Sequence, residues 1–168
     1  MEDIILKKPA LTHKQMVRRM ALWLRNHKKC PVVFAELTTQ NTETPDVIGF
    51  HGAGGSTLIE CKISRADYLA DSNKIFRRYL DMGMGDTRYF AAPKGMLKPE
   101  ELPENWGLLE VEERCVRVKK EAVRQPADKR CEVKMLMSAI RRLELSTAVF
   151  VRQDDCEADT EASLNTNK

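Results

Sequence analysis

Between Thr44 and Ser64 the chain reads TPDVIGFHGAGGSTLIECKIS, and no other stretch constrains the fold as much. Val47, Ile48 and Phe50 form one short apolar run, and Thr57, Leu58, Ile59, Cys61 and Ile63 form a second. Gly52-Ala53-Gly54-Gly55 between them supplies the positive φ angles of a hairpin turn. The spacing predicts two antiparallel strands. Side chains two apart on a strand share a face, so Glu60 and Lys62 point one way while Ile59, Cys61 and Ile63 point into a core. The place of Asp46 depends on the turn. A three-residue loop Gly52–Gly54 sets it opposite Glu60, a loop Ala53–Gly55 opposite Lys62, and a two-residue loop Ala53-Gly54 opposite Cys61. The first two gather Asp46, Glu60 and Lys62 on one face. The third scatters them unless a bulge intervenes.

Around this hairpin the pattern predicts helices and further strands. Thr12-His13-Lys14-Gln15 reads as a capping box, followed by Met16, Val17, Met20, Trp23 and Leu24 at helical spacing. Lys14, Arg18, Arg19, Arg25, Lys28 and Lys29 make the outer side of this helix basic, with Arg18 and Arg19 as candidates for phosphate contact. After Pro31, Val32 to Leu37 predicts a strand in which Glu36 is an acid within an apolar run, costly unless paired or ligating. Ser64 opens a helix that turns Tyr68, Leu69, Phe76, Tyr79 and Leu80 inward and places Asp67, Asp71, Lys74, Arg77 and Arg78 on its other sides. Arg65 could touch phosphate or pair with Asp67, and Lys74, Arg77 and Arg78 could line a nucleic-acid groove.

Strands follow at 87–92, 106–111 and 115–119, with one helical turn at 98–102. Asp128 caps a last helix whose inner face is Val133, Leu136, Met137, Ile140 and Leu143. The order α-β-β-β-α-β-(short α)-β-β-α predicts one α/β domain over residues 1–152, a mixed central sheet flanked by helices. Residues 153–168 read as an acidic, disordered tail.

The net charge is +3, unevenly placed. From Asp154 onward five acids stand against Lys168 alone, leaving a body with 27 basic and 20 acidic residues, or +7. Such a body suits a polyanionic partner. No apolar run approaches the ~18 residues of a membrane span, and no signal-peptide pattern opens the chain. A cytoplasmic protein without a membrane partner is expected. Five cysteines, odd in number and without CxxC spacing, argue against a disulfide framework or a zinc site. His13, His27 and His51 show no ligand spacing, and Trp106 reads as core.

If the hairpin cluster forms, two neighbouring carboxylates repel and favour a cation between them. Oxygen ligation selects Mg²⁺ or Mn²⁺ over zinc. Such an ion can activate water beside a phosphodiester. Lys62 would hold that water or stabilise the pentavalent phosphate, and Glu36 could add a third carboxylate.

Pro45-Asp46 followed by Glu60-Cys61-Lys62 resembles the PD-(D/E)xK signature of the restriction-endonuclease-like nucleases. The longer string ETPDVIGF…LIECKISRADYLAD is similar to a compact bacterial and phage group related to MmcB-like DNA-repair proteins. The likeness covers roughly Val32 to Val111 and extends to the α-β-β-β-α-β order. It implies a restriction-endonuclease-like core, with Asp46 and Glu60 as metal ligands, the Cys61 carbonyl as a further ligand, Lys62 as the catalytic lysine and Glu36 as an upstream acid. It also implies Mg²⁺-dependent (or Mn²⁺-dependent) hydrolysis of phosphodiester bonds in DNA, less often RNA, in repair, recombination or phage–host conflict. The same fold without cleavage would be a nucleic-acid- or protein-binding module. Cutting both strands of a duplex would call for a homodimer.

Overall fold

Thr12 starts the first helix as its capping box predicts. Its hydroxyl accepts from Gln15 N at 3.3 Å, and Gln15 Oε1 accepts from Thr12 N at 2.9 Å. Helix α1 then runs from His13 to Asn26 and buries Met16, Val17, Met20, Trp23 and Leu24. The computed structural model describes residues 11–41, 43–71 and 83–143. Two compact units divide the chain, residues 1–135 and 136–168. The sheet and the candidate site lie in the first.

Six strands lie side by side in chain order: β1 (Val32–Ala35), β2 (Val47–Phe50), β3 (Ser56–Cys61), β4 (Thr87–Pro93), β5 (Gly107–Val111) and β6 (Val116–Lys120). The β1–β2, β2–β3 and β5–β6 pairs are antiparallel, and β3–β4 and β4–β5 are parallel. Parallel neighbours need crossovers. The first contains α2 (Arg65–Asp71), and the second passes through a 3₁₀ turn at Pro99–Glu101. A third helix, α3 (Lys129–Arg142), follows the last strand. The fold is the mixed-sheet α/β class that the element order predicts.

Strand alternation builds two cores. One face carries Val47, Ile59, Cys61, Tyr89, Ala91, Leu109 and Val111 against α1. The other carries Ile48, Leu58, Phe90, Ala92 and Leu108 with Trp106 and Met135. Trp106 is core, as expected, and stacks on Phe90 with ring centroids 4.4 Å apart. At Gly85, φ is +87° and a Cβ would stand 2.5 Å from Leu58 Cβ, so only glycine fits beside β3. Cys30, Cys61, Cys115 and Cys131 are free thiols. Among the described residues no helix is long and apolar enough to cross a membrane.

Four expectations fail for identifiable reasons. Strand β1 stops at Ala35, because Glu36 turns to φ +49°. Ile63 lies beyond the end of β3, outside its alternation, and is 44% exposed. Leu69 faces outward while Asp71 is buried, drawn in by Lys62 just past the end of β3. On α3, Val133, Met137, Ile140 and Leu143 are exposed, whereas Glu132 and Met135 are buried. A polar network sets that rotation. Ser56 Oγ (2.7 Å), Gly85 N (2.9 Å) and Lys129 Nζ (2.9 Å) all donate to the Glu132 carboxylate. Phe76, Tyr79, Leu80, Lys74, Arg77 and Arg78 lie outside the described residues, as does the acidic tail.

Candidate functional site

The hairpin closes through a three-residue loop. His51 N donates to Gly55 O at 2.8 Å, and Gly54 N donates to His51 O at 2.9 Å. Gly54 sits at φ +88°, the left-handed position that such loops require. The ladder pairs Val47 with Ile59 and Ile48 with Leu58. Continued by one residue, that register carries Asp46 opposite Glu60. Of the three registers open to the sequence, this one places the two acids across from each other. The next ladder bond would need a donor from Pro45, which has no N–H. Cys61 N donates instead to Asp46 Oδ2 at 2.7 Å, fixing that carboxylate at the end of the β2–β3 pair.

Lys62 extends β3 by one further bond, its N donating to Ala91 O at 2.8 Å. Its Nζ lies 3.0 Å from Asp71 Oδ1, 3.6 Å from Glu60 Oε2 and 3.8 Å from Asp67 Oδ1. Lys62 and Glu60 are only 4% and 2% exposed. A buried ammonium needs such charge partners. Asp71 is the residue that the sequence reading misplaced. Asp67 and Asp71 are four apart and share a helix face directly after the Glu-x-Lys segment, a spacing that could have marked both as partners of Lys62.

A second group forms on the other side of Asp46. Glu36 N donates to Asp46 O at 2.9 Å. The Glu36 side chain is 55% exposed, so the burial cost expected of an acid in a strand is not incurred. His13, the first residue of α1, comes within 3.4 Å of Asp46 Oδ2 through Nε2 and within 3.7 Å of Glu36 Oε1 through Nδ1. Donor atoms of His13, Glu36 and Asp46 all lie within 4.8 Å of one another, the one such trio of metal-capable side chains among the described residues. Sequence spacing gave no sign of His13, which reaches the site through the packing of α1.

The Cys61 thiol registers this convergence. Burial pushes it well up from its ordinary value, and the negative charges of Asp46, Glu60 and Glu36 add to the shift against the opposing pull of Lys62. Four of the predicted site residues thus act on one buried atom.

Two of the predicted basic residues, Arg65 and Arg19, are engaged within the protein. Arg65 pairs with Glu101 and not Asp67, at 2.8 and 3.1 Å, and also donates to Met96 O at 2.9 Å. Hydrogen bonds from the Arg65 guanidinium and from Lys98 N hold the Glu101 carboxyl down at about 2. Arg19 donates to the carbonyls of Glu112 and Glu113 between β5 and β6. Arg18 is exposed on the outer side of α1. His51 bonds Thr57 Oγ1 at 2.8 Å beside the Cys30 thiol.

No family model matches the chain, and no curated protein matches it. Among solved structures the chain is similar to the SPO1766 protein of unknown function from Silicibacter pomeroyi. That similarity has a TM-score of 0.60 and 28% sequence identity, over 84% of this chain and 99% of the other.

Proposed function

We propose that the chain is a divalent-metal-dependent nuclease that hydrolyses phosphodiester bonds in DNA, in repair, recombination or phage–host conflict. The hairpin register carries this reading: it sets Asp46 opposite Glu60, with Lys62 Nζ 3.6 Å from the Glu60 carboxylate. The chemistry of the donors suits such an ion. Carboxylates are hard ligands of the kind Mg²⁺ and Mn²⁺ take; Asp46 and Glu36 lie within 4.8 Å of each other, while the buried Glu60, across the hairpin from Asp46, stands outside that group. The Cys61 carbonyl, on the same strand, is a fourth oxygen. When bound, the ion would activate water and offset charge on the phosphate. Cys61 N–H orients the Asp46 carboxylate. Lys62 would hold the attacking water or stabilise the crowded phosphate. Asp71 and Asp67 fix its ammonium. The basic body draws in the polyanion.

One observation favours a second reading, a module that binds nucleic acid without cutting it. Lys62 is buried against Asp71, so the cation expected at the reacting phosphate already has a partner. Incubation with duplex, nicked, single-stranded and branched DNA in Mg²⁺ or Mn²⁺ separates the two. The nuclease reading expects cleavage that Asp46→Asn and Lys62→Ala each abolish. Cleavage that survives Lys62→Ala removes the lysine's role. Salt-sensitive binding without cleavage supports the module.

A further inference from the structure

We infer that His13 joins Glu36 and Asp46 in a mixed nitrogen–oxygen site that takes Mn²⁺ in preference to Mg²⁺. This deepens the proposed function, because Asp46 is shared with it. Each ligand is positioned by backbone hydrogen bonds. The capping box fixes the first turn of α1 and so His13. Cys61 N–H holds the Asp46 carboxylate. Glu36 N is tied to Asp46 O.

One donor atom from each of the three residues lies within 4.8 Å of the other two, close enough for small side-chain rotations to bring them onto one ion. The imidazole approaches Asp46 with Nε2 at 3.4 Å and Glu36 with Nδ1 at 3.7 Å, outside good hydrogen-bond distance of both, and one ion takes only one of these two nitrogens. Donors bonded to one ion at about 2.1 Å stand about 3.0 Å apart at a right angle and about 3.6 Å apart at 120°. Side-chain exposures of 36% for His13, 55% for Glu36 and 19% for Asp46 leave the trio open to an ion from solvent, with positions over for water or a phosphate oxygen. The nitrogen sets the preference. Mn²⁺ shares the preference of Mg²⁺ for carboxylates, but Mg²⁺ demands oxygen ligands and gives up its waters reluctantly, so an imidazole nitrogen costs Mn²⁺ less than Mg²⁺.

The test is calorimetric titration of the full chain with Mn²⁺ and separately with Mg²⁺, with electron paramagnetic resonance of free Mn²⁺ as a second readout. Wild type should bind Mn²⁺ at least about tenfold more tightly than Mg²⁺. His13→Gln should erase most of that gap by weakening Mn²⁺, and Glu36→Gln should weaken Mn²⁺ as well. Both residues lie at the surface, so an unchanged melting temperature verifies that the variants fold. Equal Mn²⁺ affinity in His13→Gln and wild type, where an imidazole merely bridges two acids, overturns the inference. So does equal affinity of wild type for the two ions. Lys62-dependent DNA cleavage alongside an unaltered His13→Gln affinity would leave the nuclease reading standing and this one rejected. Selective, His13-dependent Mn²⁺ uptake by a chain that cuts no DNA would do the reverse.

Discussion

Lys62 and Asp71 form an ion pair shut off from solvent, Nζ to Oδ1 3.0 Å, with the two residues 4% and 3% exposed. The pair joins the end of β3 to α2 and sets where the ammonium sits relative to Glu60. Removing one partner of a buried pair strands the other, and that cost generally exceeds the net worth of the pair itself.

Asp71→Asn should therefore destabilise the protein by about 2–3 kcal/mol in urea denaturation at neutral pH, below the full cost of stranding a charge because Glu60 stays close. Lys62→Met should cost a similar amount, since it leaves Glu60 and Asp71 buried without their shared cation. The double variant Lys62→Met/Asp71→Leu should lose less than the two single losses combined, with a coupling of about 1 kcal/mol or more. Strict additivity would show that the pair does not act as a unit.

Asp86 makes the stability sensitive to acid. Burial alone would raise its carboxyl, but hydrogen bonds from Lys129 and from Ser56 outweigh that and hold it below its ordinary 3.8. A depressed folded value means stability that is fully present above the unfolded value and is lost as pH falls through the folded one. Urea midpoints measured from pH 5 downward should fall steeply below about pH 4 in wild type. Asp86→Asn should be less stable at pH 7 and flatter across that window. Parallel acid limbs would rule Asp86 out as the source.

At the alkaline end the sign reverses. Burial, with Glu121 accepting the Tyr89 hydroxyl at 2.6 Å, pushes the phenol up to about 12. A raised folded value gives stability that is intact below the unfolded value of about 10 and is lost as pH rises from there toward 12. Tyr89→Phe should lose that alkaline slope, and the phenolate absorbance of wild type should titrate late in the folded state. A titration near pH 10 in folded protein would contradict this.

The parts of the fold legible in the sequence are those decided by neighbouring residues. Thr12 and Gln15 cap each other, Asp128 starts α3 through Cys131 N, and the glycines between Phe50 and Ser56 demand a hairpin. The register within that hairpin was not legible. Three loops fit the same glycines, and only the bonds between His51, Gly54 and Gly55 choose one. His13 and Asp71 were missed because separate elements carry them to the site, and no local pattern records that approach. The rotation of α3 was misread for a related reason. Its apolar stripe points to Val133, but the helix turns to give Glu132 its donors on Ser56, Gly85 and Lys129.

Gly54 and Gly85 both hold positive φ, yet their substitution should differ in cost. A Cβ on Gly54 meets nothing within 4 Å, so Gly54→Ala pays only for the left-handed backbone, about 1 kcal/mol. A Cβ on Gly85 meets Leu58 Cβ at 2.5 Å, so Gly85→Ala adds a core clash and should lose about 2–4 kcal/mol. Chemical denaturation of the two variants measures the gap. Gly54→Asn should be milder than Gly54→Ala, because asparagine tolerates this conformation. Equal losses at the two positions would mean that the Leu58 contact relaxes.

Glu36 should show strain retained for a site. It is a non-glycine residue at φ +49°, which L side chains adopt at a cost. Its side chain is 55% exposed with His13 Nδ1 3.7 Å away, while its backbone N–H is held by Asp46 O. Glycine keeps that hydrogen bond and relieves the conformation, so Glu36→Gly should stabilise the fold by about 0.5–1 kcal/mol. The same substitution removes a carboxylate from Asp46 and His13 and should weaken Mn²⁺ uptake. Glu36→Asn, which tolerates the same φ, separates backbone relief from loss of the charge: it should lose the ion with little change in stability. A Glu36→Gly variant that is less stable than wild type would show instead that the carboxylate supports the fold through His13.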